Sequence, residues 1–151
     1  MPGPFHVRRL RASDLDRIQL IETQSFGKDA YDRKLFAEYF RKCGELFLVA
    51  ERGGRICGYS ITCRRAGRLA AEVISLAVDP AARGQGAASS LMASTIRRLQ
   101  RRKVSRIGLM VKVTNRAARR FYEKWGFVKV RRVPGYYEDG KDGIRMTRAA
   151  P

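Results

Sequence analysis

A chain of 151 residues, 44% hydrophobic and 30% charged, is long enough for one domain with a real core and too apolar to be disordered. Its apolar runs fall far short of a membrane span, and Met1-Pro2-Gly3-Pro4 lacks the charged-then-apolar order of a signal peptide. A single domain over residues 1–151, cytoplasmic and without membrane contact, is therefore expected. The net charge of +18 implies attraction to polyanions: a cofactor's phosphates, acidic substrates, or ribosomal or other nucleic acid, with a solvated face as the plain alternative.

In chain order, Phe5 to Leu10 alternates as a strand, and Ser13 with Asp16 reads as a capping box for a helix that buries Leu15, Ile18, Ile21 and Phe26. After Gly27-Lys28-Asp29 a second helix is capped by Asp32, carries Leu35, Phe36, Tyr39 and Phe40, and stops at Gly44. The period then changes to two. Leu46–Ala50 and Ile56–Thr62 are strands joined by a hairpin turn at Arg52-Gly53-Gly54-Arg55, Gly67 marks the next turn, and a strand runs from about Ala70 to Val78. Three cysteines, Cys43, Cys57 and Cys63, have no ligand spacing and read as small apolar core residues. With His6 the lone histidine, neither a zinc site nor a serine or cysteine triad is available.

The stretch Ser75-Leu76-Ala77-Val78-Asp79-Pro80-Ala81-Ala82-Arg83-Gly84-Gln85-Gly86-Ala87 is the most informative in the chain. An apolar strand breaks at Asp79-Pro80, passes two glycines one residue apart, and becomes a helix that buries Ala88, Leu91, Met92, Thr95, Ile96 and Leu99. Glycines at such an entry let the backbone approach a ligand, and the free N–H groups with the positive dipole end favour a phosphate. A strand over about residues 104–113 follows, parallel to the one before the helix. Asn115 caps a last helix to about Trp125, Gly126 ends it, Phe127–Val133 is a strand, and a loop from Pro134 to Gly140 returns to a closing strand near Ile144–Met146. The expected fold is mixed α/β, with a central sheet of six or seven strands flanked by about four helices.

The glycine stretch resembles the cofactor-binding signature of the GNAT superfamily of acetyl-CoA-dependent N-acetyltransferases, Gln/Arg-x-x-Gly-x-Gly/Ala. Ala81 stands where that family usually has Gln or Arg, and Ala87 where a basic residue is frequent. A second stretch, Asn115-Arg116-Ala117-Ala118-Arg119-Arg120-Phe121-Tyr122 through Gly126-Phe127, resembles the family's other hallmark and follows the first at the expected distance. Tyr136-Tyr137-Glu138-Asp139-Gly140 and Met146 are similar to the branch that acetylates protein N-termini, including the ribosomal-protein alanine acetyltransferases.

The resemblance implies that coenzyme A is held by Leu76, Ala77, Val78, Ala82, Arg83, Gly84, Gln85, Gly86, Ala87 and Asn115, and that Tyr122 protonates its sulfur. Tyr31, Tyr136 and Tyr137 are expected to border the acceptor. Met110 stands where the bacterial alanine acetyltransferases place a glutamate base, so the base is expected to be Glu72, on one face with Ile74, Leu76 and Val78 by period two, or a water relay. The acceptor is a protein N-terminal α-amine, with a small-molecule amine as the alternative. An idle coenzyme A-binding domain held on a ribosome or nucleic acid by its charge is the rival from another class.

Overall fold

The computed structural model describes residues 4–65 and 69–151, so the turn expected at Gly67 lies outside the described residues. Its strands are β1 His6–Arg9, β2 Phe47–Arg52, β3 Arg55–Arg64, β4 Ala70–Val78, β5 Arg106–Lys112, β6 Val128–Val133 and β7 Gly143–Ala149. Its helices are α1 Leu15–Phe26, α2 Arg33–Cys43, α3 Ala87–Arg101 and α4 Arg116–Lys124. The seven strands form one sheet in the order β1-β2-β3-β4-β5-β7-β6, so the expected mixed α/β architecture holds. Among the described residues no helix is long and apolar enough to cross a membrane.

Two apolar layers clamp the sheet. On one face Leu15, Ile18 and Ile21 of α1 and Phe36 of α2 pack on Phe47, Val49, Tyr59 and Ile61. The other buries Met92, Ile96 and Leu99 of α3 with Tyr122 of α4 against Val73, Ile107, Leu109, Val111, Ile144 and Met146. The α3 stripe follows from positions three and four apart along a helix, which also leaves Arg97 and Arg101 in solvent. Asp14 replaces the expected capping box of Ser13 and Asp16: its carboxylate accepts the Arg11 N–H at 2.7 Å and the Arg8 guanidinium at 2.8 Å, while Asp16 pairs with Arg33.

Strand β4 sets the geometry of everything functional. Its antiparallel register with β3 slips between Ile61 and Thr62, which pair with Ser75 and Val73 and leave Ile74 as the extra residue of a bulge. The bulge breaks the expected alternation, so Glu72, Ile74, Leu76 and Val78 do not share one face. Ile74 packs with the α1 and α2 layer, whereas Leu76 and Val78 pack beside Leu91 of α3. On its other edge β4 pairs with β5 in parallel only from Ala70↔Arg106 to Val73↔Leu109. Beyond that point both strands continue, to Val78 and Lys112, without pairing. The sheet is split there.

The cysteine expectation is corrected for two of three residues. Cys43 at the end of α2 is disulfide-bonded to Cys63 of β3, and Cys57 alone is a buried thiol. The bond closes a segment 20 residues long in sequence. Replacing Cys43 and Cys63 together by serine is expected to lower the unfolding free energy by about 3 kcal/mol, the loop-closure contribution of such a segment. Chemical denaturation checks this, and a loss under about 0.5 kcal/mol contradicts it.

Candidate active site

The turn after β4 is built by Asp79. Its carboxylate caps the Ala81 N–H at 3.0 Å and pairs with Arg17, interactions that hold its pKa below the ordinary carboxylate value. Gly84 and Gly86 then adopt φ of 77° and 96°, a region closed to most L side chains. A Cβ on either glycine meets nothing within 4 Å, and Gly86 caps α3 without a side-chain hydrogen bond. No side chain therefore caps the first N–H groups of α3. Arg83 is turned back to the Val78 carbonyl (3.2 Å) and the Ser25 hydroxyl (3.3 Å), while the Gln85 side chain reaches the Ala81 carbonyl (3.4 Å) and is gripped by Arg52. Ala82 and Ala87 are buried and Arg83 to Gly86 are exposed. An uncapped helix start beside a glycine turn fits a diphosphate, and the free edge of β4 leading to it fits an amide-bearing arm.

The split between β4 and β5 opens into a cavity of about 370 Å³. Glu72, Leu76, Asn115, Tyr122, Tyr31, Tyr136 and Tyr137 all line it, so four separate segments of the chain converge there. Asn115 caps α4 by accepting the Ala118 N–H at 3.1 Å. Tyr122 is 8% exposed, its ring set edge-on to Phe121 and Phe127 at 5.5 and 5.6 Å. Burial pushes its phenol well above the ordinary pKa, which keeps the proton on the oxygen. Among the described residues that hydroxyl has no hydrogen-bond partner. It is a protonated donor without an acceptor.

Glu72 is engaged. Its carboxylate takes the Arg145 guanidinium and lies 3.6 Å from that of Arg65. The pair crosses Gly108 of β5, where a Cβ would collide with the Arg145 side chain. Met110 lines the cavity and packs tightly beneath Gly143 and Tyr136.

Sequence reasoning missed a second carboxylate, Glu22 of α1, which also lines the cavity and is 1% exposed. It accepts the Ser75 hydroxyl at 2.9 Å, the Tyr31 N–H at 3.0 Å and the Tyr59 hydroxyl. Burial raises its pKa in spite of these three donors. The available signal was its place on the buried stripe of α1, one residue after Ile21 and four after Ile18. Lys112 was missed too. At the end of β5 it bridges Asp29 (2.7 Å) and Asp139 (2.6 Å), tying the segment before α2 to the loop that carries Tyr136 and Tyr137. Those two rings meet edge-on at 5.0 Å, Lys112 lies 5.2 Å from the Tyr137 ring centre, and burial pushes the Tyr137 phenol up to about 12.

Comparison with known proteins agrees with this geometry. The Acetyltransferase (GNAT) family matches residues 12–127. An uncharacterized N-acetyltransferase of Methanocaldococcus jannaschii is 34% identical over 147 residues, covering 96% of this chain and 92% of its own length. An N-alpha-acetyltransferase of Saccharolobus solfataricus is 29% identical over 155 residues, with 95% and 92% covered. The crystal structure of the ribosomal-protein-S18-alanine N-acetyltransferase from Escherichia coli superposes with a TM-score of 0.84 at 28% identity, covering 97% of this chain and 94% of that one. The chain belongs to the GNAT acetyltransferase family, and its acetyl donor is acetyl-CoA.

Glu22 leaves a mark on stability. Because its folded pKa lies above the ordinary 4.5, the folded state holds this proton more tightly than the unfolded chain does, and its contribution falls as pH rises past that value. Relative to the wild type, Glu22→Gln is expected to gain stability as pH rises above about 4.5 and to level off once Glu22 is ionised in the folded state, measured by denaturation at several pH values. A difference that does not change with pH contradicts the assignment.

Proposed function

We propose that the protein acetylates the α-amino group of protein N-termini. The observation that carries this reading is the cavity in the split between β4 and β5, which holds a protonated phenol and a buried carboxylate and is bordered by tyrosine-bearing loops that Lys112 ties together. The names of two relatives, an N-alpha-acetyltransferase and a ribosomal-protein alanine acetyltransferase, support it. An α-amine titrates near 8, so at neutral pH a modest base frees its lone pair, whereas a lysine needs far more help. Association with a ribosome through the basic surface is part of the same reading.

Acetyl-CoA brings an activated acetyl thioester. The N–H groups from Gly84 to Ala87 and the side chain of Asn115 would hold its phosphates and arm, and the free edge at Leu76, Ala77 and Val78 would orient the arm. Tyr31, Tyr136 and Tyr137 guide an extended N-terminus into the cavity. Glu22 takes the amine proton, directly or through one water, since its three donors leave one acceptor position open. Tyr122 gives its proton to the departing sulfur. Glu72, the base expected from sequence, lies behind Glu22 in this order because Arg145 already occupies its carboxylate.

The test is release of coenzyme A thiol with N-terminal peptides, polyamines and internal-lysine peptides as acceptors. N-terminal peptides alone are expected to turn over. Turnover with polyamines only makes the acceptor a small amine, and binding of coenzyme A with no turnover makes the domain idle; either overturns the reading. Tyr122→Phe is expected to lower kcat about a hundredfold or more with KM for acetyl-CoA little changed. Glu22→Gln should lose the acid limb of the pH–rate profile, whereas Glu72→Gln should cost more stability than rate; the reverse pattern returns the base to Glu72.

A further inference from the structure

Ten of the 32 lysines and arginines lie within ion-pair distance of a carboxylate among the described residues: Arg8, Arg17, Arg33, Arg55, Arg64, Arg65, Arg102, Lys112, Arg132 and Arg145. Of the cations outside these pairs, one group is gathered in a concavity. Arg97, Arg98 and Arg101 of α3 line a groove of about 450 Å³ whose opposite wall is Phe5, His6 and Val7 at the start of the edge strand β1. Arg9 and Arg102 lie close enough to be felt by Arg98. Among the described residues none of Arg9, Arg97, Arg98 and Arg101 has a carboxylate within ion-pair distance, and Arg102 shares Glu45 with Arg64. Burial and the charges of Arg102, Arg101, Arg9 and Arg97 all act to lower the Arg98 pKa. Arg98 thus feels four neighbouring guanidinium charges, and of these five arginines Arg102 is the one with a carboxylate partner among the described residues.

We infer that the groove between β1 and α3 is a docking surface for the phosphate backbone of RNA. Arg97 and Arg101 stand four residues apart on the helix, about 5–6 Å between Cβ atoms, a spacing similar to that of successive phosphates on a strand. Planar guanidinium forks suit phosphate oxygens, and the outer edge of β1 has no strand beside it, so backbone N–H groups are free to join them. Exposed His6 offers a ring face to an unpaired base. A flat membrane surface fits less well, because the apolar stripe of α3 is fully used by the core and the charge is recessed in a concavity. The groove lies along α3 toward its C-terminal end, whereas the glycine turn that fits the cofactor is at its N-terminus. It rests on the ribosome-facing part of the reading above and not on its chemistry, so the two fail separately.

The experiment is fluorescence anisotropy with a labelled RNA hairpin at several salt concentrations, on the wild type, on Arg97→Gln/Arg101→Gln, and on Lys129→Gln/Arg131→Gln in the other exposed basic run. Wild-type affinity is expected to fall linearly on a log–log plot against salt. The groove variant is expected to bind at least about tenfold more weakly with a slope shallower by about 1.5, the share of two phosphate contacts, while the β6 variant stays within about threefold. Acetyl transfer to a peptide should be unchanged in the groove variant, which also shows that it is folded. Three results overturn the inference: no RNA binding by the wild type at low salt, equal losses in both variants, or binding of phosphatidylglycerol vesicles that depends on Arg97 and Arg101 while RNA binding does not.

Discussion

Strand β4 stops pairing with β5 after Val73, and the chemistry of this protein depends on that release. A continuous parallel ladder would consume the backbone donors and acceptors of residues 74–78 and leave no cavity. Instead the bulge at Ile74 twists β4 away, the pair Glu72–Arg145 across Gly108 ties down the rung before the last joined one, and the strand ends free beside the glycine turn. Asp79 then locks that turn by capping Ala81 while Arg17 of α1 holds its other oxygen. One edge thus leads without interruption from the floor of the cavity to the start of α3.

Around this split the protein arranges two carboxylates with opposite tasks. Glu72 sits between guanidinium groups and ties β4 to β7. Glu22 is buried among neutral donors, Ser75, Tyr59 and the Tyr31 N–H, and among the described residues no cation pairs with it. Neutral donors hold a carboxylate in place yet leave its proton affinity high, which suits a group meant to accept a proton. The same three contacts bind α1 to β4 next to its bulge, to β3 and to the segment before α2, so the site and the packing of the first helix form one unit. Lys112 performs the matching task at the cavity mouth, where two loops distant in sequence share a single cation.

Sequence legibility divides along physical lines. The glycine turn, the Asn115 cap and the Tyr122 stripe were readable because backbone conformation and helical spacing are local properties. The sheet and its parallel pair followed from a change of period and one intervening helix. Three features were not readable. Ile74 is one apolar residue in an apolar run, so nothing in its neighbourhood marks the bulge that reverses the later faces. Cys43 and Cys63 meet only because α2 folds back on β3. Asp29, Lys112 and Asp139 come from three segments, and none is unusual in its own. Glu22 stands between these classes, since an acid on a buried stripe was visible and its partners were not.

Amide hydrogen exchange with and without coenzyme A tests the central claim most directly, because it reads the backbone groups that the split leaves free. The account predicts that added coenzyme A slows exchange in residues 74–78 and in the turn from Ala82 to Ala87, with β2 and β3 unaffected. Protection confined to other segments, or no change at saturating cofactor, would contradict it.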